Sequence, residues 1–327
     1  MMDRRTVIGV FAAGIIAAPL ASKAQTAPAV RRMGFLGSGA RPTAVELHEG
    51  DASLRALGWV EGKNLIVERR YANGRAELLR PLAEELVQLN VELIVTFGTD
   101  ATLAAKNATT TIPIVIKSAG DPARSGLVAS LARPGGNITG YSIISPELNA
   151  KRLALFRELL PGVQRIGWLE NSTNPYYRAT RKDLEQACRL LDIQPIFVQV
   201  AAASEVQEAV AEAARQRAQA LFVPIDTLFY ETRAEIMRAA LKHALPTMAQ
   251  RVTVLEDGAL IAYDPTWAEE NYRNAAFIDR ILHGAKPADL PIEQPTKFEL
   301  IINLKTAKAL GITIPPPLLL RADEVIQ

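Results

Sequence analysis

Five short polar segments could carry chemistry, and each stands directly after an apolar run. They are Ser38-Gly39, Thr99-Asp100, residues 118–121 with Ser118 and Asp121 at their ends, residues 171–174 bounded by Asn171 and Asn174, and Asp226-Thr227. They are rich in hydroxyls, amides and carboxylates and poor in Lys, Arg and His. Hydroxyls and backbone N–H groups in the first three segments can hold a carboxylate. Asp226 can accept from an ammonium group in a charge-assisted bond, which is stronger than a neutral one. Tyr141, Phe229 or Tyr230 would supply an apolar wall, and Asp264 a further carboxylate. Asp226 also has a plainer role open to it, capping the helix that follows. Asp100, Asp121 and Asp226 could form an acid–base pair if they met at one cleft.

Other chemistries lack their residues. Gly37-Ser38-Gly39 follows the first apolar run, where a dinucleotide fingerprint would sit, but Pro42 occupies the place of the third glycine. Without that glycine the close approach of helix to strand fails, so a Rossmann cofactor site is rejected and no cofactor is expected. There is no Walker loop and no Gly-x-Ser-x-Gly elbow. His48, His243 and His283 stand in no metal spacing. Cys188 has no second cysteine to pair with and lies in a helical pattern, where it reads as a small packing residue.

The elements that would position the polar segments alternate between strand and helix, the pattern of a parallel sheet built from βαβ units. Strands are expected at 33–36, 65–68, 92–96, 113–116 and 137–141, with helices at 45–57, 81–89 and after Asp100. The pattern then restarts. Helices at 148–160, 176–191, 205–215 and 229–242 alternate with strands at 165–169, 195–200, 220–223 and 245–248. Ile94-Val95-Thr96-Phe97-Gly98-Thr99-Asp100 and Leu221-Phe222-Val223-Pro224-Ile225-Asp226 hold matching places in the two halves. Two lobes of about 120 residues each follow. Ligands of open α/β sheets lie beyond the carboxyl ends of the strands. Two such edges facing each other would line one cleft.

The N-terminus reads as an export signal. Arg4 and Arg5 precede an uncharged apolar run over residues 7–20, followed by Ala21-Ser22-Lys23-Ala24-Gln25 with small residues at the processing site. The run is shorter than the roughly 18 residues a spanning helix needs. Cleavage is expected between Ala24 and Gln25, and the arginine pair leaves both the Sec and the twin-arginine routes open. No cysteine follows the run to carry a lipid. Arg4, Arg5 and Lys23 against Asp3 account for the whole formal charge of +2. The remainder is near neutral and gives no argument for nucleic acid or an anionic membrane. A periplasmic, freely diffusing, monomeric protein is expected.

Longer segments carry a family resemblance. Gln294-Pro295-Thr296-Lys297-Phe298-Glu299-Leu300-Ile301-Ile302-Asn303-Leu304, within the stretch 286–311, resembles the ending of ABC-transporter substrate-binding proteins related to the tryptophan- and tyrosine-binding lipoproteins. Gly58-Trp59-Val60-Glu61-Gly62-Lys63-Asn64, Ala119-Gly120-Asp121-Pro122, residues 127–140 and Ala150-Lys151-Arg152-Leu153 match as well. The resemblance spans the whole chain after the signal. It implies a type I periplasmic-binding-protein fold, α/β, with two Rossmann-like parallel-sheet lobes joined by three hinge crossings. It also implies capture of a small polar solute, such as an amino acid or related carboxylate, and delivery to an inner-membrane ABC permease. The crossings are expected near Tyr141, Tyr263-Asp264 and residues 295–297. This divides the chain into a signal (1–24), a first lobe (29–141 plus 265–296) and a second (142–264 plus 297–327), with the helix at 267–282 on the first lobe. The chain departs from its relatives at Asp100, where they often carry Pro, and at Asp264, where they often carry Gly. Both carboxylates would change ligand polarity. A ligand-binding module for a sensor kinase or chemoreceptor, and a secreted bilobed enzyme, are the alternative readings.

Overall fold

Strand-then-helix units build the computed structural model, which describes residues 30–42, 44–142, 146–249 and 257–327. The expected signal and its processing site lie outside those residues. The first half contains β1 (Arg31–Gly37), α1 (Ala44–Ala56), β2 (Leu65–Tyr71), α2 (Leu79–Gln88), β3 (Leu93–Phe97), α3 (Thr99–Ala108), β4 (Ile114–Ser118) and β5 (Ile138–Gly140). Its strands form one parallel sheet in the order β2-β1-β3-β4-β5. Pro81 falls in the first turn of α2, where the missing N–H has no intrahelical partner to lose. Leu79, Ala83 and Leu86, spaced at helical intervals, bury one face of α2 against the sheet.

The second half holds α4 (Pro146–Leu159), β6 (Arg165–Asn171), α5 (Pro175–Leu190), β7 (Gln194–Val200), α6 (Val206–Arg215) and β8 (Ala220–Phe222). It continues through α7 (Thr227–Glu231), α8 (Arg233–Lys242), β9 (Thr247–Ala249) and β10 (Ile261–Pro265). The helix expected over 229–242 is two helices. The two meet at Thr232, whose hydroxyl donates to the Leu228 carbonyl at 2.8 Å. After β10 come α9 (Trp267–Leu282), β11 (Phe298–Asn303), α10 (Leu304–Ala309), α11 (Pro316–Leu319) and β12 (Glu324–Ile326). The second sheet runs β12-β11-β10-β9-β8-β6-β7. Trp168 stacks on Phe222 in its core with ring centroids 3.8 Å apart. Cys188 is buried beside them, and burial pushes its thiol up to about 12.

The chain passes between the sheets three times: after β5, after β10 and before β11. Helix α9 therefore packs on the first sheet, where Ala275, Phe277, Ile278, Ile281 and Leu282 bury against Met33, Leu93, Val95 and Val115. One feature departs from the parallel expectation: β10 and β11 pair antiparallel, with Ala262 opposite Ile301. The cause is directional. β10 carries the chain out of the second lobe and β11 brings it back, so these two neighbouring strands run opposite ways. The first crossing is tied to the third, since Ser142 N donates to the Glu293 carbonyl at 2.9 Å and Glu293 N to that of Gly140 at 3.0 Å.

Candidate ligand-binding cleft

The carboxyl ends of the two sheets face one another and enclose a cavity of about 580 Å³, lined from both lobes. That volume lies in the usual range for small-molecule sites. The lobes also touch directly. Ala40 N donates to Glu231 Oε1 at 3.1 Å, and Arg124 forms an ion pair with Asp183. Gly120 lies so close to Tyr176 that a Cβ on it would stand 2.5 Å from the ring.

Asp226 is the most strongly organised group in the wall. It follows β8 and caps α7, accepting from Leu228 N at 2.9 Å. Asn171 Nδ2 donates to Oδ1 at 2.9 Å and Asn174 Nδ2 to Oδ2 at 2.8 Å. Asn174 is itself fixed because its Oδ1 caps α5 through Tyr176 N. A carboxylate has about four acceptor sites. Three are filled by these donors, and the buried Tyr177 hydroxyl stands beside the same carboxyl, which raises that phenol further above its ordinary value than burial alone does. Burial raises the Asp226 carboxyl to about 6, against the two asparagine hydrogen bonds, which lower it. Capping and ligand contact are thus compatible roles for this residue.

Seven of the residues expected at the site line the cavity: Gly39, Thr99, Ser118, Asn174, Asp226, Phe229 and Asp264; so does Tyr230. Thr99 Oγ1 accepts from Gly120 N at 3.1 Å. Asp264 brings little net charge, because its Oδ1 lies 2.7 Å from Nη2 of the fully buried Arg152. The same guanidinium donates from Nε to the Tyr263 carbonyl at 2.8 Å.

Five expected residues stand outside the wall. Ser38 donates to Asp100, so these two satisfy each other behind the cavity surface. Burial also raises the Asp100 carboxyl. Gly98 makes this pairing possible: its φ is +113°, and a Cβ there would lie 2.3 Å from Ser38 Oγ. Asp121 accepts from Arg124 N at 3.1 Å and pairs with that residue's guanidinium at 3.3 Å. Tyr141 is wholly buried in the core at the first crossing, and burial raises its phenol. Asn171 acts on the cavity only through Asp226. Asp100 lies near enough to Asp226 to help raise its carboxyl, but its own oxygen is held by Ser38 and Ala101 N, and Asp121 is held by Arg124.

Sequence reading missed several lining residues. Asn271 and Asn274 reach the cavity from α9, and Arg69, Tyr71 and Lys117 from the carboxyl ends of β2 and β4. The asparagines had one legible signal, a buried polar pair three apart on a helix whose next turns, at Ala275 and Ile278, are apolar. Arg152 was noticed only as part of a family match, since its partner Asp264 is far away in sequence.

Two parallel-sheet lobes, three crossings and a shared cavity define a type I periplasmic-binding-protein fold. The profile of the ABC transporter substrate binding protein family matches residues 45–326, and the chain belongs to that family. A tyrosine-binding protein of Clostridioides difficile (strain R20291) is 27% identical over 261 residues, spanning 80% of this chain and 74% of that protein. A conserved domain protein from Vibrio cholerae superposes with a TM-score of 0.85 at 26% identity, covering 90% of this chain and 99% of the other. An ABC domain from Streptococcus pneumonia, solved in complex with L-Trp, has the same fold, with a TM-score of 0.83, 24% identity and the same coverages.

Proposed function

We propose that the protein is the exported solute receptor of an ABC importer, taking an amino acid or related small carboxylate between its lobes and delivering it to a membrane permease. One observation carries the reading: the Asp226 carboxylate of the second lobe shares one cavity with the Ser118 and Thr99 hydroxyls of the first. A zwitterion has an ammonium for Asp226 and a carboxylate for the hydroxyls, at a fixed spacing. Binding one would favour the closed arrangement, because only there are both ends held; a ligand shifts a conformational equilibrium by its differential affinity for the two states. The tyrosine-binding relative and the L-Trp complex support an amino acid as the ligand class.

A thermal-shift screen of amino acids, aromatic acids and small carboxylates tests this. A ligand at one hundred times its Kd adds about 2.7 kcal/mol of stability. Calorimetry on Asp226→Asn then tests the ammonium contact. Asn still caps α7 but lacks the charge, so affinity should fall by about 1.5–3 kcal/mol while the fold is retained. A screen in which nothing stabilises the protein, or an unchanged affinity in the variant, overturns the reading.

A further inference from the structure

The cavity does not stop at the inter-lobe cleft. It continues into the first lobe, between the sheet and the helices α1 and α9, along one row of alternating strand positions. Parallel register sets Gly37 between Tyr71 and Phe97 at the carboxyl end of the sheet, and Phe35 between Arg69 and Val95 one row further in. Met33 and Val67 make the next row, and Leu54, Ala275 and Ile278 face them from the helices. From the Gly37 row to the Met33 row is four residues of strand, roughly 13 Å.

Three observations mark this chamber as a place for ligand. First, β1 is a central strand, yet Phe35 is only half-buried, as are Val67 and Phe97, although Met33 and Val95 on the same face are buried. Second, the mouth is open because residue 37 has no side chain; a Cβ there would meet the Tyr71 ring at 3.1 Å and the Phe35 ring at 3.2 Å. Third, the polar pair further in, Arg69 and Asp51, is already joined at 3.6 Å, while unsatisfied polar groups stand at the mouth. Asn274 donates to the Lys117 carbonyl at 3.1 Å, while its own Oδ1 and that of Asn271 are buried with no hydrogen-bond partner among the described residues. Buried acceptors of this kind call for a donor. The bordering Arg69 is already bound to Glu61 through both arms, at 2.6 and 2.8 Å.

We propose that the ligand is amphipathic, with a polar head held between the lobes and an extended apolar tail that passes Gly37 into the chamber beneath α1. The head rests on the reading given above; the tail rests on the chamber alone. The ligand class is therefore a 2-amino acid or carboxylate with a long unbranched or slender apolar side chain.

Calorimetry with the straight-chain 2-amino acids, from alanine through norleucine to 2-aminodecanoate, tests both parts. Each methylene that enters the chamber should tighten binding about fourfold. Val67→Phe fills the chamber from an edge strand, where it is best tolerated, and should abolish the gain for long members. Gly37→Ala narrows the mouth and serves as a second variant should the first lower the melting temperature. A parallel series of alkanoates, butanoate to decanoate, keeps the tail and omits the ammonium. If only the alkanoates tighten with length, the amino-acid head is wrong and the tail stands. If the amino acids bind with no gain in length, or gain equally in both variants, the tail is wrong and the head stands. If neither series tightens with length, the chamber takes no ligand.

Discussion

Replacing Gly120 by alanine should separate lobe closure from folding. Gly120 follows β4 in the first lobe, and a Cβ built on it lies 2.5, 2.8 and 2.9 Å from three atoms of the Tyr176 ring in the second. Ordinary carbon contacts are about 3.5–4.0 Å, so the lobes would have to part by about 1 Å here. The ring cannot simply step aside, because Tyr176 is 4% exposed and its hydroxyl accepts from Asn149 Nδ2 at 3.4 Å. Overpacking of this size costs about 1–3 kcal/mol. That cost falls on the closed state alone, since within its own lobe Gly120 uses only its backbone, donating to Thr99 Oγ1 and accepting from Ser125 Oγ. Apparent affinity for a stabilising solute should drop about 5–150-fold, with the melting temperature of the unliganded protein unchanged. Calorimetry gives the affinity, and small-angle scattering with and without solute gives the closure. A variant that binds with full affinity and contracts to the same radius would refute the claim that these lobes must meet at residue 120 to hold their ligand.

Two further predictions concern buried charge. The Asp226 carboxyl is raised from 3.8 to about 6 in the folded protein, so the native state binds its proton more tightly than the unfolded chain does. Stability from this group is greatest below about pH 4, is lost as pH rises towards 6, and its absence above that is worth about 3 kcal/mol; urea titrations from pH 4 to 7 should show wild type losing this increment and Asp226→Asn keeping it. Solute affinity should move the other way in wild type, weakening below about pH 6 as the proton competes with the ligand's ammonium, and calorimetry across the same range checks it. Arg152→Met removes the ion-pair partner of the buried Asp264 carboxylate and should cost about 3–5 kcal/mol by urea unfolding, most of it recovered in Arg152→Met/Asp264→Leu.

Much of the scaffold was legible because each strand is a short apolar run closed by a polar loop, as at Ile94 to Asp100 and Leu221 to Asp226. Strand direction at β10 and β11 was not, because a hinge sets it and no local pattern records a hinge. The break at Thr232 was hidden in an otherwise continuous helical period. At the site, position after a strand found Asp226 and Asn174, whose roles come from local capping. The same rule picked Ser38 and Asp100, and their bond to each other across 62 residues of sequence was not legible in it. Arg152 and Asp264 meet across 112 residues. Pairings at such range come only from the assembled fold.

The route taken by α9 also fixes an order of events during synthesis. The apolar face that closes over Met33, Leu93, Val95 and Val115 is supplied by residues 275–282, and these are made only after β6, β7, β8, β9 and β10. A nascent chain that has yet to reach Leu282 therefore holds its first lobe partly open on one side, with only α1 over that face of the sheet, while the second lobe is still being translated. The half of the molecule that begins first is the one that must wait, and its closure depends on contacts of very long sequence separation, the kind that form slowly.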